Sequence, residues 1–134
     1  MIEVFKISKL SEARAIKCLP YDEYTYPYPI RLTYILQCTT NPNLIKVGRS
    51  YDLYERVKTI NRQTQKWANL SFELKYVIRS NPVLENAFKF ELRDRKHPLN
   101  SKIDGSEEFY DISGYAWKRL STLVRKVVSI QQHT

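Results

Sequence analysis

The stretch Arg31-Leu-Thr-Tyr-Ile-Leu-Gln-Cys38, Thr39-Thr-Asn-Pro-Asn43, Leu44-Ile-Lys-Val-Gly48 decides the predicted fold. Its first part is rich in β-branched and aromatic side chains, which favours a β-strand. The asparagines and the proline in the middle are typical of a turn, and the last part is again apolar enough for a strand. The stretch therefore predicts a β-hairpin.

Downstream of the hairpin, capping signals and apolar periodicity predict further helices and strands. Asp52 and Glu55 resemble a capping box, so a helix is expected to begin nearby. The predicted elements are a helix from Leu53, a strand over residues 72–78, a helix from Pro82 to about Lys96, an extended piece over residues 107–112 and a helix from Gly114 onward. This order indicates an α+β fold, with a small three-stranded antiparallel sheet flanked by helices.

Residues 1–30 are predicted to form an extension ahead of one domain that spans residues 31–130. A short helix is expected around residues 11–18. Residues 20–29 contain four tyrosines and three prolines, and this arm should be extended because proline fixes φ and lacks an amide donor. Its rings either stack on nucleic-acid bases or pack on the domain, and the arm is also a candidate contact for a protein partner.

The net charge of +8 is concentrated after residue 30. Residues 1–30 hold four basic and four acidic side chains, whereas residues 31–66 hold seven basic and two acidic ones. A nucleic acid is the simplest partner, because basic side chains that neutralise phosphates release counterions. A solubilising charge is the alternative. The predicted contacts to the nucleic-acid backbone are Arg49, Lys58, Arg62, Lys118 and Arg125.

Other protein classes are excluded by composition. No apolar run is long enough to span a bilayer, and the start of the chain lacks a secretion-signal pattern. Cys18 and Cys38 do not form a C-x-x-C pair, and with the two histidines they make no zinc-site pattern. We therefore expect no membrane association and a cytoplasmic or other intracellular, reducing compartment.

Four polar residues are candidates for chemistry: Tyr34 and Lys46 on the two strands of the hairpin, and Arg56 and Glu85 beside the apolar stripes of two helices. A carboxylate holds a hard cation such as Mg²⁺, and an arginine offsets charge on phosphoryl oxygens. A phenol or an amine can relay a proton. The set fits phosphodiester hydrolysis, with the four side chains expected to face one basic surface to which Glu85 is exposed.

Structural interpretations of the same residues stay open. A half-buried aromatic and a solvated lysine are the ordinary states of the two strand residues. Arg56 would ordinarily pair with Asp52 on the helix surface, and Glu85 competes with Glu91 on the other edge of its helix stripe. The segment Glu107-Glu108-Phe109 either supplies a supporting carboxylate or forms a strand edge with its phenylalanine in the core.

The spacing of the candidates resembles the signature of the GIY-YIG nucleases. Leu32-Thr33-Tyr34, Lys46-Val47-Gly48 and then Arg56 resemble the GIY, YIG and arginine motifs, and a helix with a glutamate follows the third predicted strand. Leu32 and Thr33 replace the glycine and isoleucine of the first motif. The chain is most similar to the short branch common among phage and viral open reading frames, over roughly residues 31–125.

The resemblance implies a metal-dependent endonuclease acting on nucleic acid, with DNA favoured over RNA. Tyr34 and Lys46 take the places of the two motif tyrosines, and Arg56 takes that of the catalytic arginine. Glu85 takes the place of the single ligand to one Mg²⁺ or Mn²⁺, and Gly48 lies where a side chain would obstruct a close approach. A non-catalytic nucleic-acid-binding module of the same fold and a small host-protein interaction protein are the alternatives.

Overall fold

The computed structural model describes residues 2–16, 32–80, 83–114 and 119–132. The predictions for the arm at 20–29 and for Cys18 and Lys118 fall outside these ranges. The strands are β1 (Glu3–Lys6), β2 (Leu32–Cys38), β3 (Leu44–Ser50), β4 (Phe72–Arg79) and β5 (Phe109–Asp111). The helices are α1 (Leu53–Ala68), α2 (Val83–Glu91) and α3 (Leu120–Gln132), with short 3-10 turns at Leu10–Ala15 and Arg93–Arg95. In the ranges described, no helix has the length and apolar character needed to cross a membrane.

All five strands pair in one antiparallel sheet, in the order β1-β4-β2-β3-β5. The predicted hairpin of β2 and β3 is present, with Tyr34 opposite Gly48 and Leu36 opposite Lys46. The α+β class is confirmed, but the predicted number of three strands is wrong. The additional strands β1 and β5 have four and three residues. β5 lies within the extended piece predicted over residues 107–112, but its pairing in the sheet was not predicted, and β1 shows too little alternation to be identified from a sequence.

Helices cover the two faces of the sheet. Side chains alternate along a strand, so Tyr34 and Leu36 lie on the face covered by α1, whereas Ile35 and Val47 lie on the face covered by α2 and α3. The predicted apolar stripe of α1 is buried, and it consists of Leu53, Val57 and Ile60. It follows that α1 and α2 pack on opposite faces.

The start of α1 is confirmed, and its N-cap explains it. The side chain of Asp52 accepts a hydrogen bond from the Glu55 amide at 3.3 Å, which satisfies one of the free donors of the first turn. The alternative surface pair between Asp52 and Arg56 is replaced by a pair between Arg56 and Asp104. The side chain of Asp52 therefore caps the helix.

The end of α2 differs from the prediction. The helix ends at Glu91 instead of near Lys96, and the buried Leu92 follows it. Lys96 forms an isolated β-bridge with Tyr110, and the amide of His97 donates to the carbonyl of Phe109 at 2.8 Å. The helix is shorter because the chain after it turns to pair alongside β5.

The segment ahead of residue 31 contributes to the sheet. β1 pairs with β4 from Glu3 opposite Arg79 to Lys6 opposite Tyr76, and the helix predicted over residues 11–18 is the 3-10 turn at Leu10–Ala15. The division into an extension and a domain at residue 30 stays a prediction. β1, which precedes residue 30 in the chain, is an edge strand of the sheet.

Candidate active site

Tyr34 and Lys46 meet on the α1 face of the sheet. They are diagonal neighbours, because Tyr34 lies opposite Gly48 and Lys46 lies opposite Leu36. Lys46 Nζ lies 6.0 Å from the centroid of the Tyr34 ring and 5.1 Å from that of the Phe109 ring. Both side chains are buried. The lysine is therefore not the solvated strand lysine of the structural interpretation.

Gly48 makes room for the ring of Tyr34. A Cβ atom on Gly48 would overlap the phenol, with the ring Cε1 atom only 2.9 Å away. A side chain at this position would be obstructed by the tyrosine ring, and not by a closely approaching backbone as the resemblance implied. The absence of a side chain on Gly48 therefore allows the phenol of Tyr34 to lie where it does.

Arg56 reaches the same face of the sheet from α1. Its guanidinium lies close enough to the Tyr34 phenol to oppose the rise of the pKa of that phenol, and its Nη1 atom lies 3.4 Å from Asp104 Oδ2. Gln63, about two turns further along α1, donates to the same carboxylate oxygen at 3.2 Å and accepts from the Asp104 amide at 2.8 Å. The loop that carries Asp104 is thereby fixed beside the arginine.

Glu108 connects β3 to α2. One carboxylate oxygen accepts a hydrogen bond from Lys46 Nζ at 2.9 Å, and the other accepts from Lys89 Nζ at 2.5 Å. Glu108 directly precedes the short strand β5 at the edge of the sheet, so it bonds to cations from both faces. Gly105, at φ +68°, is required here, because a Cβ atom would meet both Glu108 and Lys46.

Glu85 lies in the first turn of α2 between two cations. Oε1 lies 3.6 Å from Arg49 Nε, and Oε2 lies 3.6 Å from Lys89 Nζ. The expected exposure of Glu85 is wrong: its side chain is 7% exposed, because Arg49 from β3 and Lys89 from the next turn of α2 lie against it. The expectation that all four side chains face one surface is also wrong. Because α1 and α2 pack on opposite faces of the sheet, Arg56 and Glu85 lie on opposite faces, and the link from Glu85 to Lys46 runs through Lys89 and Glu108 at the sheet edge.

Burial dominates the electrostatics of the site. It raises the pKa of Tyr34 to about 12, against the hydrogen bond and charge of Arg56, so the phenol is neutral near pH 7. Burial also lowers the pKa of Lys46, and the charge of Glu108 opposes this effect. Burial would raise the pKa of Glu108, but the charge of Lys46 and the hydrogen bond from Lys89 outweigh it and hold that pKa below its usual range.

The cations of the site are partly accessible. The side chains of Arg49 and Arg56 are each 32% exposed and that of Lys89 is 31% exposed, whereas that of Glu85 is 7% exposed. The side chain of Asp104, which pairs with Arg56, is 55% exposed, so a positive and a negative group are both accessible at that point of the site.

Glu85 is the residue predicted to hold a divalent cation. Its carboxylate offers hard oxygen donors, and both cations beside it lie at 3.6 Å, beyond ordinary hydrogen-bond distance. No group of three His, Cys, Asp or Glu side chains suited to a metal occurs among the described residues. A cation at Glu85 would take its other ligands from water and phosphate oxygens, which Mg²⁺ accepts.

The nucleic-acid contacts predicted on β3 and α1 point in different directions. Arg49 belongs to the site itself. Lys58 lies about 200° around α1 from Arg56, where it is exposed and within 3.9 Å of Glu55. Arg62 is exposed on the same helix, about 120° from Arg56. The contact of these side chains with nucleic acid stays a prediction.

Arg125 lies in another part of the molecule. It projects from α3 beside Val4 of β1 and Tyr76 of β4, on the far side of the sheet from β5. Lys118, the remaining predicted contact, is outside the described residues. The basic surface on α3 is thus separate from the site on β3 and α2.

Comparison with known proteins gives the chain a family. The family model of the T5orf172 domain matches residues 31–128. The chain belongs to the T5orf172 domain family. This membership indicates a nuclease-like or nucleic-acid-binding module, and the match includes every site residue from Tyr34 to Glu108. No curated protein and no solved structure gives a significant match to the chain.

Sequence analysis overlooked two contributors to the site of this T5orf172 domain. Lys89 follows Glu85 by one helical turn, and this Glu–Lys spacing was a visible signal. Asp104 had no local signal, because it meets Arg56 only after the chain has folded back. Phe109 lies in the core, which confirms the strand-edge interpretation of the segment Glu107-Glu108-Phe109, while a supporting role for a carboxylate of this segment stays a prediction.

Proposed function

We propose that this T5orf172 domain is a divalent-metal-dependent endonuclease of the GIY-YIG type that hydrolyses phosphodiester bonds in DNA. The residues proposed to act on the substrate are Tyr34, Lys46, Arg56 and Glu85. The family membership supports the broad class of function, and the arrangement of charged side chains at the sheet edge supports the reaction.

The observation that carries this proposal is the ammonium group of Lys46, whose side chain has no solvent exposure. Taking an ammonium group out of water costs on the order of several kcal/mol even after relaxation. An apolar side chain at this position of β3 would avoid that cost. A buried charge kept beside a neutral phenol and an accessible guanidinium is typical of a catalytic centre.

Each of the four side chains has a role that its surroundings support. Arg56, which is partly exposed, would donate to the phosphoryl oxygens and offset the charge that develops there. Tyr34 would hold a proton on its phenol oxygen and exchange it with the attacking water, with Lys46 as the neighbouring proton acceptor or donor. Glu85 would hold one Mg²⁺ or Mn²⁺, which supplies polarisation of the phosphate.

The test is cleavage of plasmid and linear DNA in Mg²⁺ or Mn²⁺ by the wild type and by Glu85→Gln. The amide keeps the size of the side chain but removes its charge, so cleavage should fall on the order of 100-fold, while binding without metal is retained. Glu91→Gln is the matched control, because Glu91 lies on the same helix and pairs with Lys126 of α3. The proposal is wrong if the wild type cuts no nucleic acid or if Glu85→Gln cuts as fast as the wild type.

A non-catalytic nucleic-acid-binding module is the second candidate, and one observation favours it. Glu85 lies within 3.6 Å of two cations, so its charge is already offset without a metal ion. This candidate predicts salt-dependent DNA binding with no cleavage in either metal. Cleavage that depends on Glu85 would exclude it.

A further inference from the structure

The two carboxylates of the site are held in different ways. Glu108 accepts hydrogen bonds from Lys46 at 2.9 Å and from Lys89 at 2.5 Å. Glu85 faces Arg49 and Lys89, both at 3.6 Å. Glu108 is therefore tightly bonded to its cations, whereas Glu85 is only loosely paired with the two that lie against it.

Lys89 is the cation that both carboxylates share. It lies one helical turn after Glu85, at the spacing that ordinarily lets glutamate and lysine form a direct pair on a helix. Its ammonium group instead lies 1.1 Å nearer to Glu108 than to Glu85, from distances of 2.5 and 3.6 Å. The ammonium group of Lys89 is therefore bonded to Glu108 more closely than to Glu85.

We propose that Glu108 is a positioning residue that draws Lys89 away from Glu85 and so keeps the Glu85 carboxylate available to a divalent cation. This inference rests on the proposed function, because it assumes that Glu85 is the metal ligand. Gly105 contributes to this arrangement of Glu108 and Lys46, because a side chain there would collide with both. Neither Glu108 nor Lys89 needs to touch the substrate in this role.

The consequence is a specific pattern of metal affinities. Without the charge of Glu108, Lys89 should close onto Glu85 and compete with the metal. Glu108→Gln should therefore weaken Mn²⁺ binding by on the order of tenfold, a loss typical of residues that orient a ligand. Removing the competitor as well, in Glu108→Gln with Lys89→Met, should restore the affinity to at least that of the wild type. Lys89→Met alone should bind Mn²⁺ more tightly than the wild type.

The experiment is a titration of the full chain with Mn²⁺, without DNA, followed by the electron paramagnetic resonance signal of free Mn²⁺. Glu107→Gln is the matched control, because Glu107 is the exposed neighbour of Glu108 and the charge change is the same. Its affinity should equal that of the wild type. The Mg²⁺-induced rise in melting temperature of each variant gives a second readout that is independent of cleavage.

The outcomes separate this inference from the proposed function. If Glu85→Gln abolishes Mn²⁺ binding but Glu108→Gln binds Mn²⁺ like the wild type, the assignment of Glu85 as the metal ligand is supported and the role proposed for Glu108 is wrong. If the double variant stays as weak as Glu108→Gln, Glu108 is itself a ligand and the inference is also wrong. If Glu85→Gln binds Mn²⁺ like the wild type, both fail. Should Glu108→Gln not fold, weaker binding by Lys89→Met would still overturn the inference.

Discussion

The phenol ring of Tyr34 lies against Gly48, its partner on the neighbouring strand, so closely that a methyl group on the glycine would overlap it. This contact places the tyrosine on the α1 face, with its ring 6.0 Å from the ammonium group of Lys46. A backbone position with no side chain of its own thus determines the position of a candidate catalytic group. The relationship can be tested by stability as well as by activity.

Gly48→Ala should destabilise the protein by on the order of 1–3 kcal/mol, because the added methyl group overpacks a buried ring. Tyr34→Leu shortens the opposing side chain, so the double variant should lose less than the sum of the two single losses. The free energy of unfolding from urea titrations measures each value. Additive losses would show that the ring and the glycine do not oppose each other.

Gly105→Ala should cost more stability than Gly114→Ala. Both glycines have positive φ, at +68° and +75°, so both substitutions strain the backbone by roughly 1–2 kcal/mol. A Cβ atom on Gly105 also meets Glu108 and Lys46, whereas one on Gly114 meets no atom of the described residues within 4 Å. Equal losses in urea unfolding would mean that the ion pair adjusts freely to the added methyl group.

Arg56→Ala should lower the rate of DNA cleavage by on the order of 10²–10³, the loss typical of removing a donor to a developing oxyanion. Lys75→Ala is the matched control, because this cation of β4 pairs with Glu73 and is not among the predicted contacts to the nucleic acid. Its cleavage rate should stay near that of the wild type. A comparable loss in both variants would indicate a general effect of charge.

Stability at high pH should depend on Tyr34, whose pKa burial raises from 10.0 to about 12. Between these values the unfolded chain has released a proton that the folded chain retains, so the free energy of unfolding decreases as pH rises. Tyr34→Phe lacks this contribution. Urea unfolding of both proteins at pH 9, 10 and 11 should therefore show a steeper decline for the wild type, and parallel declines would contradict the buried state of the phenol.

The salt dependence of DNA binding should distinguish the two basic regions. Measured without metal, Arg49→Gln should reduce the slope of log affinity against log salt by about 0.9, the value for one lost phosphate contact on duplex DNA. Arg125→Gln should leave the slope unchanged, because Arg125 lies beside β1 and β4 on α3. The reverse result would place the DNA across α3 and away from the site.

Local signals predicted much of the fold. The hairpin of β2 and β3, the start of α1 at its Asp52 cap and the strand β4 all follow from residues close together in the chain. The edge strand β1, the pairing of β5 with β3 and the early end of α2 were not predictable, because they depend on pairing with distant segments. A strand of three residues exists here only because β3 offers it hydrogen-bonding partners.

The sequence by itself determined that the side chains of Tyr34, Lys46 and Arg56 lie on one face of the sheet, since strand alternation and helix periodicity are short-range properties. Only the tertiary structure decided the partners of these groups. Glu108 lies 62 residues from Lys46, and the two meet because the chain returns to the edge of β3 through the turn at Gly105. The burial of Glu85 also depends on the tertiary structure, because Arg49, which lies against it, belongs to β3 and is 36 residues away in the chain.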